Sequence, residues 1–203
     1  EAAKSKTLPK LIEEKDIKGI FHIHTTYSDG NIGLKQLCEE LMKSGLQYAG
    51  ISDHSKTASY AGGLKNDDLE HYFKEIDMVN RKYSNFKIFK GIESDILLDG
   101  SLDYSDKVLS RFDFIIAAVH SSFNLSEEQM TERMIKAIEN RFTTILAHPT
   151  GRLLLARDAY KVDIIRVINA AAENNVDIEL NASPFRLDLD WRMCKYAREK
   201  KVK

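Results

Sequence analysis

Cysteine is scarce in this chain, with two in 203 residues. Cys38 and Cys194 lie far apart and form no CxxC pair, which argues against a disulfide framework or a thiolate zinc site and fits a reducing, cytoplasmic setting. Long apolar runs are missing too. No stretch approaches the roughly 18 residues of a membrane span, and the opening EAAKSKTLPKLIEEKDIKG is too charged for a secretory signal. A soluble protein with no membrane partner is expected. An excess of positive charge is also absent: 30 Lys+Arg against 31 Asp+Glu leave a formal net charge of −1, so no overall field holds nucleic acid by counterion release. If the substrate is DNA, another domain has to help hold it.

What is present suits one globular domain with a sizeable core: 43% hydrophobic and 30% charged residues. Residues 1–17, charged and without a core pattern, are expected to be a linker from an upstream domain. Residues 18–203 are expected to form the domain itself. The chain stops at REKKVK, where Val202 would open a further strand, so that domain is expected to be incomplete at its C-terminus.

Apolar runs alternate with amphipathic stretches. GIFHI (residues 19–23) precedes LKQLCEELMKSG, whose Leu34, Leu37, Cys38 and Leu41 follow helical spacing, with Gly45 closing the helix. YAGIS (48–52) is followed by a loop with Gly62 and Gly63, then by the helix DDLEHYFKEIDMVNRKY, which Asp67 or Asn66 could cap. FKIFKG from Phe86, FDFIIAAV (112–119), a helix led by Ser126, TTILA, the helical VDIIRVINAAAENN, VDIEL and a helix from about Trp191 complete six strands, with a seventh cut off. Strands this apolar imply a parallel sheet covered by helices. Polar residues at the C-terminal ends of many different strands favour a closed barrel with one mouth over an open sheet.

Five of the six histidines sit at or just beyond strand ends: His22 and His24 on the first strand, His54 on the second, His120 on the fourth and His148 on the fifth, with Glu93 in the same place on the third. Residues two apart on a strand share a face, so His22 and His24 aim at one point while Ile23 packs the other way. Taken alone, such a pair reads equally as two satisfied core histidines. With the other strand ends it reads as a site for zinc, manganese or iron, in which Glu93 bridges two ions. Asp53, next to His54, could accept that histidine's second N–H. Lys56, Arg152 and Arg186 are the basic loop residues nearest these positions and suit phosphate contact, or else are solvated surface charges. His71, among acidic and aromatic neighbours, reads as helix surface.

The segments FHIHTTYSDG, ISDHSKTASYAGGL, GIESDILLDGSLDY, AAVHSSF, LAHPTGRLL and IELNASPFRLDLD, in this order, resemble the PHP (polymerase and histidinol phosphatase) family. They are most similar to the PHP domain of bacterial and archaeal family X DNA polymerases. The resemblance implies an α/β fold, a distorted (β/α)7 TIM-like barrel, with up to three divalent metal ions, manganese serving activity. Carried over, His22 and His24 hold one ion with Glu93, which bridges to a second held by His120 and His148; Asp29 and His54 hold a third. Glu93, His120 and His148 then form the catalytic centre. The family pattern also calls for a final Asp-x-His beyond Lys203, so two of the three sites are expected to lack one ligand each.

The implied reaction is phosphoester hydrolysis, 3′–5′ trimming of DNA 3′ ends beside a polymerase domain. Two alternatives stay open: a histidinol-phosphatase-type enzyme acting on a phosphorylated small molecule, and a metal-binding docking barrel with little activity. An amidohydrolase-type barrel also begins with His-x-His, but its later ligands do not match Glu93 and His120.

Overall fold

The structure, a computed structural model, describes residues 3–7 and 10–203. Of the expected linker, residues 1–2 and 8–9 lie outside the described residues, and the rest carries one 3-10 turn, Glu14–Asp16. The order of elements is β1 (Gly19–Ile23), α1 (Leu34–Lys43), β2 (Tyr48–Ile51), a 3-10 turn (Ser59–Ala61), α2 (Leu69–Lys82), β3 (Lys87–Asp95), α3 (Asp106–Leu109), β4 (Phe114–Ala118), α4 (Glu127–Ile138), β5 (Ile145–Leu146), α5 (Ile164–Asn174), β6 (Asp177–Ile178) and α6 (Trp191–Glu199). All six strands pair in parallel in the order β1 to β6. No helix among the described residues is long and apolar enough to cross a membrane.

The sheet curls into a half-barrel. Phe21 of β1 stacks on Phe89 of β3 at 5.9 Å and meets Phe114 of β4 edge-on at 4.9 Å, the latter a contact that a flat sheet could not make across two intervening strands. Phe89 and Phe114 cluster with Ile116, Ala118, Ile145 and Ala147 on the concave face, with the partly exposed Phe21 against them. Gly50 and Gly91 make this packing possible, because a Cβ on either would stand 2.1 Å from a phenyl ring, that of Phe21 or Phe114. The convex face carries the larger core, where Leu34, Ile51, Leu69, Tyr72, Ile76, Ile88, Ile92 and Ile115 are buried between sheet and helices. The α/β barrel-type architecture expected from the alternation is therefore present.

Several local details differ from the sequence pattern. Helix α2 is preceded by Asp68 rather than by Asp67 or Asn66, and the Asp68 carboxylate accepts from the Lys65 N–H (3.1 Å), so no side chain caps the helix amides. The segments TTILA and VDIEL form ladders of only two residues each, although Asp177 N–H to Thr144 O (2.8 Å) and Glu179 N–H to Leu146 O (2.9 Å) continue the alignment. At the end of the chain Val202 packs on the core and Lys203 O accepts from Ile178 N–H (3.0 Å), placing these residues along the edge of β6 without a further strand among the described residues. Ser126 leads α4 as expected, its hydroxyl accepting from Gln129 N–H (3.2 Å) while the Gln129 side chain accepts from Ser126 N–H (3.1 Å).

Candidate metal centre

The seven residues singled out by strand position and resemblance, His22, His24, Asp29, His54, Glu93, His120 and His148, all line one cavity of 360 Å³ at the C-terminal mouth of the sheet, together with Tyr60, Asn181 and Arg186. Glu93 lies at its floor with 1% of its side chain exposed. One carboxylate oxygen stands 2.9 Å from His22 Nε2, 3.2 Å from His120 Nε2 and 3.0 Å from His148 Nε2. The other stands 3.1 Å from His24 Nε2 and 3.0 Å from His54 Nδ1. One carboxylate thus gathers five imidazoles from four other strand ends.

Backbone geometry explains how β1 delivers two of them. Ile20 pairs with Ala49 and Ile23 with Ile51, so β1 carries one extra residue against β2, and His22 takes a left-handed φ of 63°. Strict alternation would turn Phe21 and His22 to opposite faces. The bulge lets both face the concave side, Phe21 against the aromatic cluster and His22 onto Glu93, while Ile23 packs on the convex core. His148 also has positive φ (26°), and its N–H is held by a Glu179 oxygen at 2.9 Å. A non-glycine residue in this region costs of order 1–3 kcal/mol, a strain that the surrounding contacts have to offset.

The electrostatics are those of a shared anion among cations. Burial alone would raise the pKa of Glu93, but the charge of His22 and hydrogen bonds from His120, His148 and His22 outweigh it and hold the carboxyl well below the usual range. His22 is opposed by burial yet pushed up to about 10 by Glu93 and Glu179. His120 is likewise pushed up to about 9, by Asp95 and Glu93 against burial. His54 goes the other way, down to about 4, because burial dominates and His24 and His120 repel its charge. His148 is lowered mainly by burial.

Among the described residues, four groups of three side chains offer ligand atoms within 4.8 Å of one another: His22, His24 and Glu93; His24, Asp29 and His54; His54, Asp95 and His120; and Glu93, His120 and His148. Within them His24 Nε2, His54 Nδ1 and Glu93 Oε2 are buried and close, yet none makes a hydrogen bond. Buried polar atoms facing one another without an aligned proton are disposed as donors to a common centre, and nitrogen with carboxylate oxygen is a donor set for a divalent transition metal. The residues present therefore fit such ions.

Two carboxylates in the centre escaped the sequence reading. Asp95 accepts from His120 Nδ1 (2.6 Å) and from the Thr57 hydroxyl (3.0 Å), and Glu179 accepts from His22 Nδ1. Asp95 carried a signal, since it stands two residues after Glu93 on the same strand and so shares its face. Glu179 had one only in lying at the end of VDIEL. Asp53 does not partner the His54 ring: its carboxylate accepts from Thr25 N–H (2.7 Å), Thr25 hydroxyl (2.8 Å) and Ser28 hydroxyl (2.6 Å), bracing the loop that carries Asp29. Of the three basic residues, only Arg186 lines the cavity. Lys56 stands 4.0 Å from Asp103 and over the Tyr104 ring, and Arg152 is spent on holding a neighbouring loop through Arg186 O (2.9 Å), Leu187 O and Asp190 (2.9 Å). A basic residue near a ligand in sequence is drawn off by whichever acceptor folds against it.

The model of the PHP domain matches residues 21–183. The chain is 45% identical over 193 residues to the DNA polymerase/3′-5′ exonuclease PolX of Bacillus subtilis, covering 95% of this chain and 34% of that protein. It is 31% identical over 169 residues to a probable phosphatase of Caldanaerobacter subterraneus, 81% of this chain and 62% of the relative. The chain thus spans about a third of the first relative and under two thirds of the second. Its fold is similar to that of histidinol phosphate phosphatase from Lactococcus lactis, solved with zinc, L-histidinol and phosphate, with a TM-score of 0.55, 16% identity and coverage of 79% of this chain and 72% of that one. With the match spanning most of its length and a centre of five histidines around one glutamate, the chain belongs to the PHP domain family.

Proposed function

We propose that this chain is a divalent-metal-dependent phosphoesterase domain that removes nucleotides from DNA 3′ ends beside a family X polymerase domain. The observation that carries the reading is the buried Glu93 shared by five imidazoles, with likeness to the polymerase/exonuclease of Bacillus subtilis in support. His22, His24 and Glu93 would hold one ion, Glu93, His120 and His148 a second, and Asp29 with His54 a third. Bound there, divalent ions supply an acidified water and neutralise charge developing on phosphoryl oxygens. Glu179 and Asp95 would keep the His22 and His120 rings turned toward the centre by accepting from their outer nitrogens. Arg186 would anchor a phosphate oxygen through its planar fork of donors.

A second reading, hydrolysis of a phosphorylated small molecule, is favoured by the cavity itself, which at 360 Å³ is sized for a small ligand, and by likeness to a probable phosphatase. Incubating the manganese-loaded chain with a single-stranded oligonucleotide and, separately, with L-histidinol phosphate decides between them. Release of 5′-mononucleotides from the 3′ end is expected. Metal binding with neither substrate cleaved would sink both readings, and cleavage of the small ester alone would replace the first by the second.

A further inference from the structure

Tyr60 is the one large side chain that the loop after β2 holds out over the centre. Its ring stands 5.9 Å from that of His54 and 6.3 Å from that of His120, both nearly edge-on, and the residue is 68% exposed while lining the same cavity as Arg186. The loop around it is tightly built. Ala58, Ala61 and Leu64 are buried, Leu64 N–H bonds His54 O at 2.8 Å, and Gly63 N–H bonds Ala58 O at 3.1 Å. Gly62 takes a left-handed φ of 68°, and a Cβ on Gly63 would fall 1.8 Å from Ser55 O. An exposed aromatic ring carried beside a polar cavity on a loop tied this closely is a surface prepared to take a flat partner.

We propose that Tyr60 is the stacking platform for the base of a terminal nucleotide whose phosphate enters the cavity toward Arg186. The inference rests on the phosphoesterase reading and names its substrate class. A cavity of 360 Å³ admits one monomer unit and not a duplex, so a 3′-terminal base has to leave its own stack to bring its phosphate in. Leaving the stack costs energy that a protein ring can offset, and such stacking tolerates any base because every base has a flat face. A single anchoring cation together with one aromatic face suits a nucleoside monophosphate unit better than a bare sugar phosphate.

Binding tests this without turnover. The manganese-loaded chain is titrated with deoxyadenosine 5′-monophosphate, with deoxyribose 5-phosphate, which keeps the sugar and phosphate but lacks the base, and with L-histidinol phosphate. The mononucleotide should bind roughly tenfold more tightly than the base-free ester. Tyr60→Phe should keep that ratio and Tyr60→Ala should reduce it to about one, with manganese content unchanged in both variants. Equal binding of the first two ligands by the unaltered chain, an unchanged ratio in Tyr60→Ala, or tighter binding of L-histidinol phosphate than of the mononucleotide would each overturn the assignment. Loss of manganese from both variants would make Tyr60 a wall of the metal centre and overturn it as well. Hydrolysis is followed in the same samples with an oligonucleotide and with L-histidinol phosphate: a base-dependent ratio with neither substrate cleaved leaves the platform standing and removes only the phosphoesterase reading.

Discussion

Glu179, at the end of β6, accepts a hydrogen bond from Nδ1 of His22, 157 residues earlier, so the first and last strands of the sheet are joined through the centre. The second Glu179 oxygen takes the His148 N–H at 2.9 Å. One carboxylate thereby sets the ring of one proposed ligand and the backbone of another.

Replacing Glu179 by Ala should weaken metal binding at the His22 site by roughly 10- to 100-fold, the usual scale for losing the partner that orients a ligating imidazole. Glu179→Gln, which keeps an acceptor oxygen, should lose less. A competition titration against a metal-binding dye measures both, and equal affinities for Ala and the unaltered chain would refute the positioning role.

Glu93→Gln should abolish binding of at least two ions and also destabilise the metal-free protein, by roughly 3–5 kcal/mol, because imidazoles held protonated around a buried anion lose their counter-charge. Chemical denaturation with a chelator present gives the stability, and elemental analysis gives the metal content. Full stability in the metal-free variant would contradict the shared-anion description.

The pH dependence has a definite sign. His22 and His120 rise from an unfolded value of about 6.5 to about 10 and about 9 when folded. Their contribution to the stability of the metal-free protein is complete below about pH 6.5 and disappears as pH climbs through 9 to 10. A bound ion has to displace the same protons, so metal affinity should increase over that interval and binding near pH 7 should release protons. Melting temperatures with and without manganese should therefore diverge on going from pH 6.5 to pH 9. A constant difference would count against these shifts.

Gly63→Ala should be far more harmful than Gly62→Ala. At Gly62 the cost is that of a left-handed φ, of order 1–3 kcal/mol, since the nearest atom, Ser28 O, is 3.8 Å away. At Gly63 the added carbon meets backbone oxygen at 1.8 Å, and Ser55 cannot yield because its N–H is tied to Glu93 O at 3.0 Å. Thermal melts rank the two, and similar losses would show that the loop gives way.

The candidate centre was legible in the sequence to the extent that strand geometry is local. An apolar run followed at its end by His or Glu names both the strand and the side chain at the barrel mouth, and this placed His22, His24, His54, Glu93, His120 and His148 on one cavity. Asp29 needed the family resemblance, because an Asp before Gly in a turn has an ordinary explanation. The sequence by itself therefore determined the alternating α/β order, the parallel sheet and the set of strand-end residues, all consequences of periodicities that operate within a few residues. Only the tertiary structure decided that a bulge in β1 turns Phe21 and His22 inward together, that Asp95 and Glu179 hold the imidazoles, that Asp53 serves the β1–α1 loop, and that Arg186 faces the centre while Arg152 and Lys56 do not. Those outcomes depend on which acceptor, from 25 to 157 residues away, the folded chain brings within hydrogen-bond reach, and no local pattern carries that information.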